Sequence, residues 1–127
     1  MTPDWLNETV RAFGRQMNIP NFELNARGAA GMRFENGIGF RLEYANEALM
    51  LMTAVEVPAD AALLTRVLAL VHPDARLQPA VRAGYLARTG EAIFVVRVGE
   101  REVSVTALEA VFRMLWRLAE QIGRAVR

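Results

Sequence analysis

The chain has 127 residues, 53% of them hydrophobic and 23% charged, a balance that excludes disorder and suits one domain, 1–127, with one core. Fifteen basic residues against fourteen acidic ones leave a formal charge of +1, too little net field to steer nucleic acid or an anionic membrane. Cysteine is absent, which removes disulfides, thiolate metal sites and cysteine nucleophiles, and no run approaches the ~20 apolar residues of a membrane span. The opening MTPDWLNETVRAFGRQM lacks a basic region followed by an unbroken apolar run, so a cytoplasmic protein is expected.

Thr2-Pro3-Asp4 opens a helix: Thr offers an oxygen to a free backbone donor, Pro is preset for the first turn, and Asp suits the positive dipole end. Leu6, Val10, Phe13 and Met17 form its apolar stripe, and Pro20 is its expected stop. From Phe22 to Val57 the period changes to two, as in GFRLEY, where Phe40, Leu42 and Tyr44 alternate with Arg41 and Glu43. Asn36-Gly37, both tolerant of positive φ, and Ala45-Asn46-Glu47 mark turns between three antiparallel strands at about 22–35, 38–45 and 48–57. The GAAG segment at 28–31 weakens the first of them and suggests a bulge.

Pro58 and Asp60 open a second helix with Leu63, Leu64, Val67, Leu68 and Val71 on a broad apolar face, up to a stop at Pro73. Arg66 is its only charge, so it is either deeply buried or covered by a partner. Arg76 to Ala83 reads as an irregular connection, and GYLAR and EAIFVVRV flank Thr89-Gly90 as a second hairpin. Thr106 and Glu109 have capping-box spacing for the last helix. Its apolar stripe is Leu108, Val111, Phe112, Leu115, Ala119, Ile122 and Val126, and Glu109–Arg113 and Glu120–Arg124 are spaced to pair across one turn. The predicted class is α+β, in the order helix, three antiparallel strands, helix, two strands, helix.

Little in this chain points to catalysis. His72, the only histidine, stands at a helix end where the dipole favours its charge, and Ser104, the only serine, precedes the last helix, where a secondary cap is its ordinary role. A Ser104–His72 pair with Asp74 as orienter has no nucleophile elbow around it, and GAAGMRFENGIG has the wrong order for a nucleotide loop. No acidic residues cluster at metal-ligand spacing, so neither metal nor cofactor is expected. Arg113, Arg117 and Arg124 make a basic stripe beside Trp116, but the interleaved Glu109 and Glu120 make it a solvated helix face rather than a phosphate track.

The third strand is the most informative. Leu49, Leu51, Thr53, Val55 and Val57 fall on one face and Met50, Met52 and Ala54 on the other, and the last strand repeats this with Phe94, Val96 and Val98 opposite Ile93 and Val95. An antiparallel sheet with helices on one side normally shows a polar second face. Here that face needs a cover: another helix of the chain, a second subunit or a bound partner.

In the order and length of these elements the chain resembles the class I type III secretion chaperones of Gram-negative bacteria. The segments that carry the resemblance are DWLNETVRAFGRQM, FRLEY, LMLMTAV, LLTRVLALV, GYLAR, AIFVVRV and TALEAVFRMLWRLAEQI. The resemblance implies a two-layer chaperone-like fold and a cytoplasmic homodimer that uses neither ATP nor any other cofactor. It also implies binding of the N-terminal segment of a secreted effector, held extended and export-competent. Carried onto this chain, it makes Leu64, Val67, Leu68 and Val71 dimer candidates, and Val10, Phe13, Phe34, Phe40, Leu42, Met50 and Met52 effector-groove candidates. A non-secretion protein-binding module, or an antitoxin-like regulatory dimer of similar fold, is the alternative.

Overall fold

Asp4–Gln16 forms helix α1, which buries Leu6, Val10, Phe13 and Gly14 on one side. Its N-cap is Pro3 rather than Thr2; no side chain caps it, and the Pro3 carbonyl accepts from the amides of Leu6 and Asn7. It also ends before Pro20. Asn18 takes the left-handed conformation at φ 58°, the Ile19 amide donates to Gly14 O at 2.8 Å, and the Asn18 amide donates to Arg15 O at 3.2 Å. These are the two bonds of a Schellman stop, which satisfy the last carbonyls without proline. Gly14 is required inside this helix because a Cβ there would stand 2.7 Å from Phe22 Cβ.

The computed structural model describes residues 2–72 and 79–126. The expected helix stop at Pro73, the orienter Asp74 and the start of the connection at Arg76 lie outside the described residues. The first strand is shorter than expected: β1 spans only Ala29–Arg33. Phe22 and Leu24 are buried, as the period-two pattern requires, but they pack beside α1 instead of pairing in the sheet, with the Leu24 amide donating to Asn7 Oδ1 at 2.9 Å. Asn25 Oδ1 accepts from the amides of Arg27 and Ala29, folding the turn from which β1 starts.

Strands β2 (Gly39–Ala45) and β3 (Ala48–Glu56) follow, then helix α2 (Ala61–Leu70), strands β4 (Arg82–Leu86) and β5 (Glu91–Gly99), a 3-10 turn over Glu100–Glu102, and helix α3 (Val105–Val126). The β1–β2 turn uses positive φ only at Gly37; Asn36 instead accepts the Ile38 amide through its side chain. The β2–β3 turn places Asn46 and Glu47 at φ 52° and 57° between the paired Ala45 and Ala48, a two-residue turn whose twist matches its strands. All pairs are antiparallel, in the order β1-β2-β3-β5-β4.

Asp60 caps α2 through the Leu63 amide, but α2 buries only Leu63 and Val67. The cap of α3 is Ser104, whose Oγ accepts the Ala107 amide at 3.0 Å. The expected capping box is therefore displaced: the helix starts at Val105, Thr106 is already inside its first turn, and Glu109 pairs forward with Arg113 at 2.8 Å. Glu120–Arg124 also pairs, at 3.9 Å. Val126 is 40% exposed and leaves the predicted stripe, while Leu118 joins the core.

Helices α1 and α3 lie on one face of the sheet and bury the side chains that alternate toward them: Phe40 and Leu42 of β2, Leu49 and Leu51 of β3, and Phe94 and Val96 of β5. Phe13, Phe22, Phe40 and Phe112 join in one aromatic cluster, the closest pair being Phe40 and Phe112 at 4.6 Å between centroids. Thr53 is fully buried and donates to Leu115 O at 3.2 Å, pinning β3 to α3 without an unpaired hydroxyl.

Candidate functional site

The opposite face of the sheet carries the other half of each strand. Its register sets Met52 between Arg41 and Val95, Met50 between Glu43 and Arg97, and Ala54 between Gly39 and Ile93. An apolar strip of Met50, Met52, Ile93 and Val95 thus runs over the two central strands, all four residues half-buried. Among the described residues, none of these four belongs to the core cluster or packs against it. A second uncovered apolar surface is the outer side of α2, where Leu68 is 58% exposed.

One ion pair crosses the strip. Arg33 on edge strand β1 reaches over β2 and β3 to Glu91 on β5, with Arg33 Nη2 3.0 Å from Glu91 Oε2 and Nη1 2.6 Å from Gly37 O. It does so because Gly39, opposite Arg33, has no side chain: a Cβ there would lie 3.4 Å from Nη2. Burial alone would raise the Glu91 pKa, but hydrogen bonds from Arg33 and Thr89 and the Arg33 charge outweigh it and hold the carboxyl below its ordinary value. At another edge Tyr44 donates to Glu100, a bond that raises the tyrosine pKa, reinforced by burial and by the charges of Glu100 and Glu47.

The structure divides the sequence-predicted groove residues. Val10, Phe13, Phe40 and Leu42 are at most 2% exposed and belong to the core, not to the groove expected of them, because they lie between the sheet and the helices that cover it. Phe34 is half-buried, edge-on to Trp116 at 4.9 Å between ring centroids. Met50 and Met52 lie on the uncovered face. Of the dimer candidates, Val67 is buried within its own chain, Leu64 and Val71 are half-buried, and Leu68 is open.

Ile93 and Val95 were legible as a second apolar face but not as neighbours of Met52. The Arg33–Glu91 pair, 58 residues apart in the chain, had no local signal. His72 is exposed, and the Ser104 hydroxyl is engaged as a helix cap. Among the described residues no group of three or more His, Asp or Glu side chains is placed to hold a metal, and no helix is long and apolar enough to cross a membrane.

A five-stranded sheet with helices on one face and an apolar strip on the other defines an α+β protein with a surface suited to another polypeptide. The chain belongs to the type III secretory system chaperone SycN family, whose model matches residues 5–123. Solved structures share the fold at low identity. The ExsC–ExsE complex matches with a TM-score of 0.81 at 18% identity, covering 96% of this chain and 93% of that one. The Yersinia pestis type III secretion chaperone SycH, solved with a stable fragment of YscM2, matches at 0.71 and 16%, covering 92% and 98%. The HopA1–SchA chaperone–effector complex matches at 0.65 and 21%, covering 99% and 98%. No curated protein matches the chain in sequence.

Proposed function

We propose that this chaperone works as a cytoplasmic homodimer that holds the N-terminal segment of a secreted effector extended and export-competent, with no catalysis, cofactor, nucleic acid or membrane involved. The observation that carries the reading is the uncovered apolar strip of Met50, Met52, Ile93 and Val95 on a chain of this family. Two surfaces serve two partners. The outer side of α2, with Leu64, Leu68 and Val71, meets a second copy, and the strip, with Met50 and with Met52 paired beside Val95, receives the effector; Phe34 stands on the other face of the sheet, against Phe112 and Trp116 of α3.

Energetics favour apolar anchoring. Ordering a flexible segment costs about 1–2 kcal/mol per residue in backbone entropy, and burial returns about 25 cal/mol per Å², so each fixed residue needs roughly 40–80 Å² of apolar contact. Exposed ion pairs, typically worth under about 1 kcal/mol, do not supply that. Methionine does, and its flexible thioether accepts varied side chains.

The test is capture of an effector from cells that express a type III secretion system, using wild-type protein and the Met52→Asp variant. Met52→Asp should weaken capture at least tenfold while its melting temperature and dimer persist, since Met52 packs outside the core. Capture unchanged by Met52→Asp would move the groove elsewhere, and no secreted client at all would overturn the reading.

A further inference from the structure

Beside Met52 the uncovered face holds a trough of about 360 Å³. The register there is a checkerboard: on the β1–β2 pair Gly31 faces Arg41 and Arg33 faces Gly39, so each arginine stands opposite a residue without a side chain. Gly31 and Ala54 line its base, Arg33, lying over Gly39, makes one wall, and Arg41 with Met52 the other. Direct and diagonal neighbours across such a pair stand about 5–8 Å apart, room enough for one flat side chain between two walls.

From these walls we infer that the trough seats an aromatic side chain of the effector segment, an inference that rests on the chaperone reading above. The choice of an aromatic over an acidic residue follows from what the arginines already do. Two of the five N–H donors of Arg33 are engaged, one on Nη1 by Gly37 O and one on Nη2 by Glu91, and Arg41 Nε lies 3.5 Å from Glu43. An incoming carboxylate would compete with Glu91, whose side chain is only 10% exposed, for the charge of Arg33 and so weaken a largely buried pair. An aromatic ring leaves both pairs intact. It uses the guanidinium faces, which hydrogen bonding does not consume, and the Arg33 side chain is 56% exposed. The Met52 thioether on the facing wall adds a sulfur–ring contact that an aliphatic side chain cannot make.

The experiment needs no effector. The full chain, labelled with ¹⁵N, is titrated with N-acetyl-tryptophan amide, N-acetyl-leucine amide and N-acetyl-aspartate amide. Two guanidinium faces and one sulfur contact should favour the tryptophan amide over the leucine amide by about tenfold. The largest shifts should fall on the amides of Gly31, Gly39 and Met52. Gly39→Leu places a Cβ 3.4 Å from Arg33 Nη2 and 3.9 Å from Ala54 Cβ, drives the Arg33 wall into the trough and should abolish the response. If that variant does not fold, Arg41→Ala, at a side chain 51% exposed, should reduce the aromatic preference instead. Equal or better binding of the leucine or aspartate amide, shifts elsewhere, or no response to the tryptophan amide at tens of millimolar would overturn the inference. A protein that captures its effector yet shows no aromatic preference would overturn this inference alone and leave the chaperone function standing.

Discussion

Adjacent residues of α2 separate folding from association. Val67 is 2% exposed and Leu68 58% exposed, though both belong to one apolar run. Fully burying a leucine side chain is worth about 1.5–3 kcal/mol, so covering the exposed part of Leu68 contributes roughly 1–1.7 kcal/mol per copy. A twofold dimer contains that contact twice, so Leu68→Ala should cost about 2–3 kcal/mol of association, a roughly 30- to 150-fold weaker dimer. The isolated protomer should change by no more than about 0.5 kcal/mol, because an exposed side chain contributes little within its own chain. Val67→Ala should do the reverse. It removes two buried carbons and leaves a cavity, costing about 2 kcal/mol or roughly 7 °C of melting temperature. Sedimentation equilibrium gives the dimer constant, and denaturation below that constant gives the protomer's stability. A Leu68→Ala dimer within threefold of wild type would refute the assignment of this helix face to a second copy.

Two further outcomes are expected. Ser104→Ala should cost about 1 kcal/mol in urea denaturation while Thr106→Ala stays within about 0.5 kcal/mol, since the serine oxygen is the cap; the opposite order would restore the capping box. The Glu91 carboxyl is held below its ordinary value, about 4.3 for glutamate, so its contribution to stability is fully present above that pH and is lost as pH falls through the folded-state value. Glu91→Gln should therefore melt below wild type at pH 7, and the gap should narrow as the pH falls below about 4.3; a gap that did not narrow with falling pH would show that the charge of Glu91 is not the cause.

Element order and type were legible in the sequence because each rests on neighbours within a few residues. The capping Asp60, the turn at Asn46-Glu47, the alternation in GFRLEY and the 3.6-residue stripe of α3 all act over one or two turns of chain. Helix and strand ends were less legible, because closely placed residues competed for one role. Asn18 stopped α1 before Pro20 could, and Ser104 capped α3 before Thr106 could.

The candidate site was half legible. The alternation showed that β3 and β5 have two apolar faces, and no local pattern distinguishes a face that helices will cover from one that stays open. That choice is made by the sheet order β1-β2-β3-β5-β4 and by the side on which α1 and α3 pack. Phe40 thereby became core and Met52 surface, although both alternate in the same way along their strands. The sequence by itself determined which segments become helix or strand and that more apolar surface exists than one helical layer hides. Only the tertiary structure decided where that surplus lies, and it brought Arg33 to Glu91 and Gly31 beside Arg41, because pairings across a sheet join residues that share no local period.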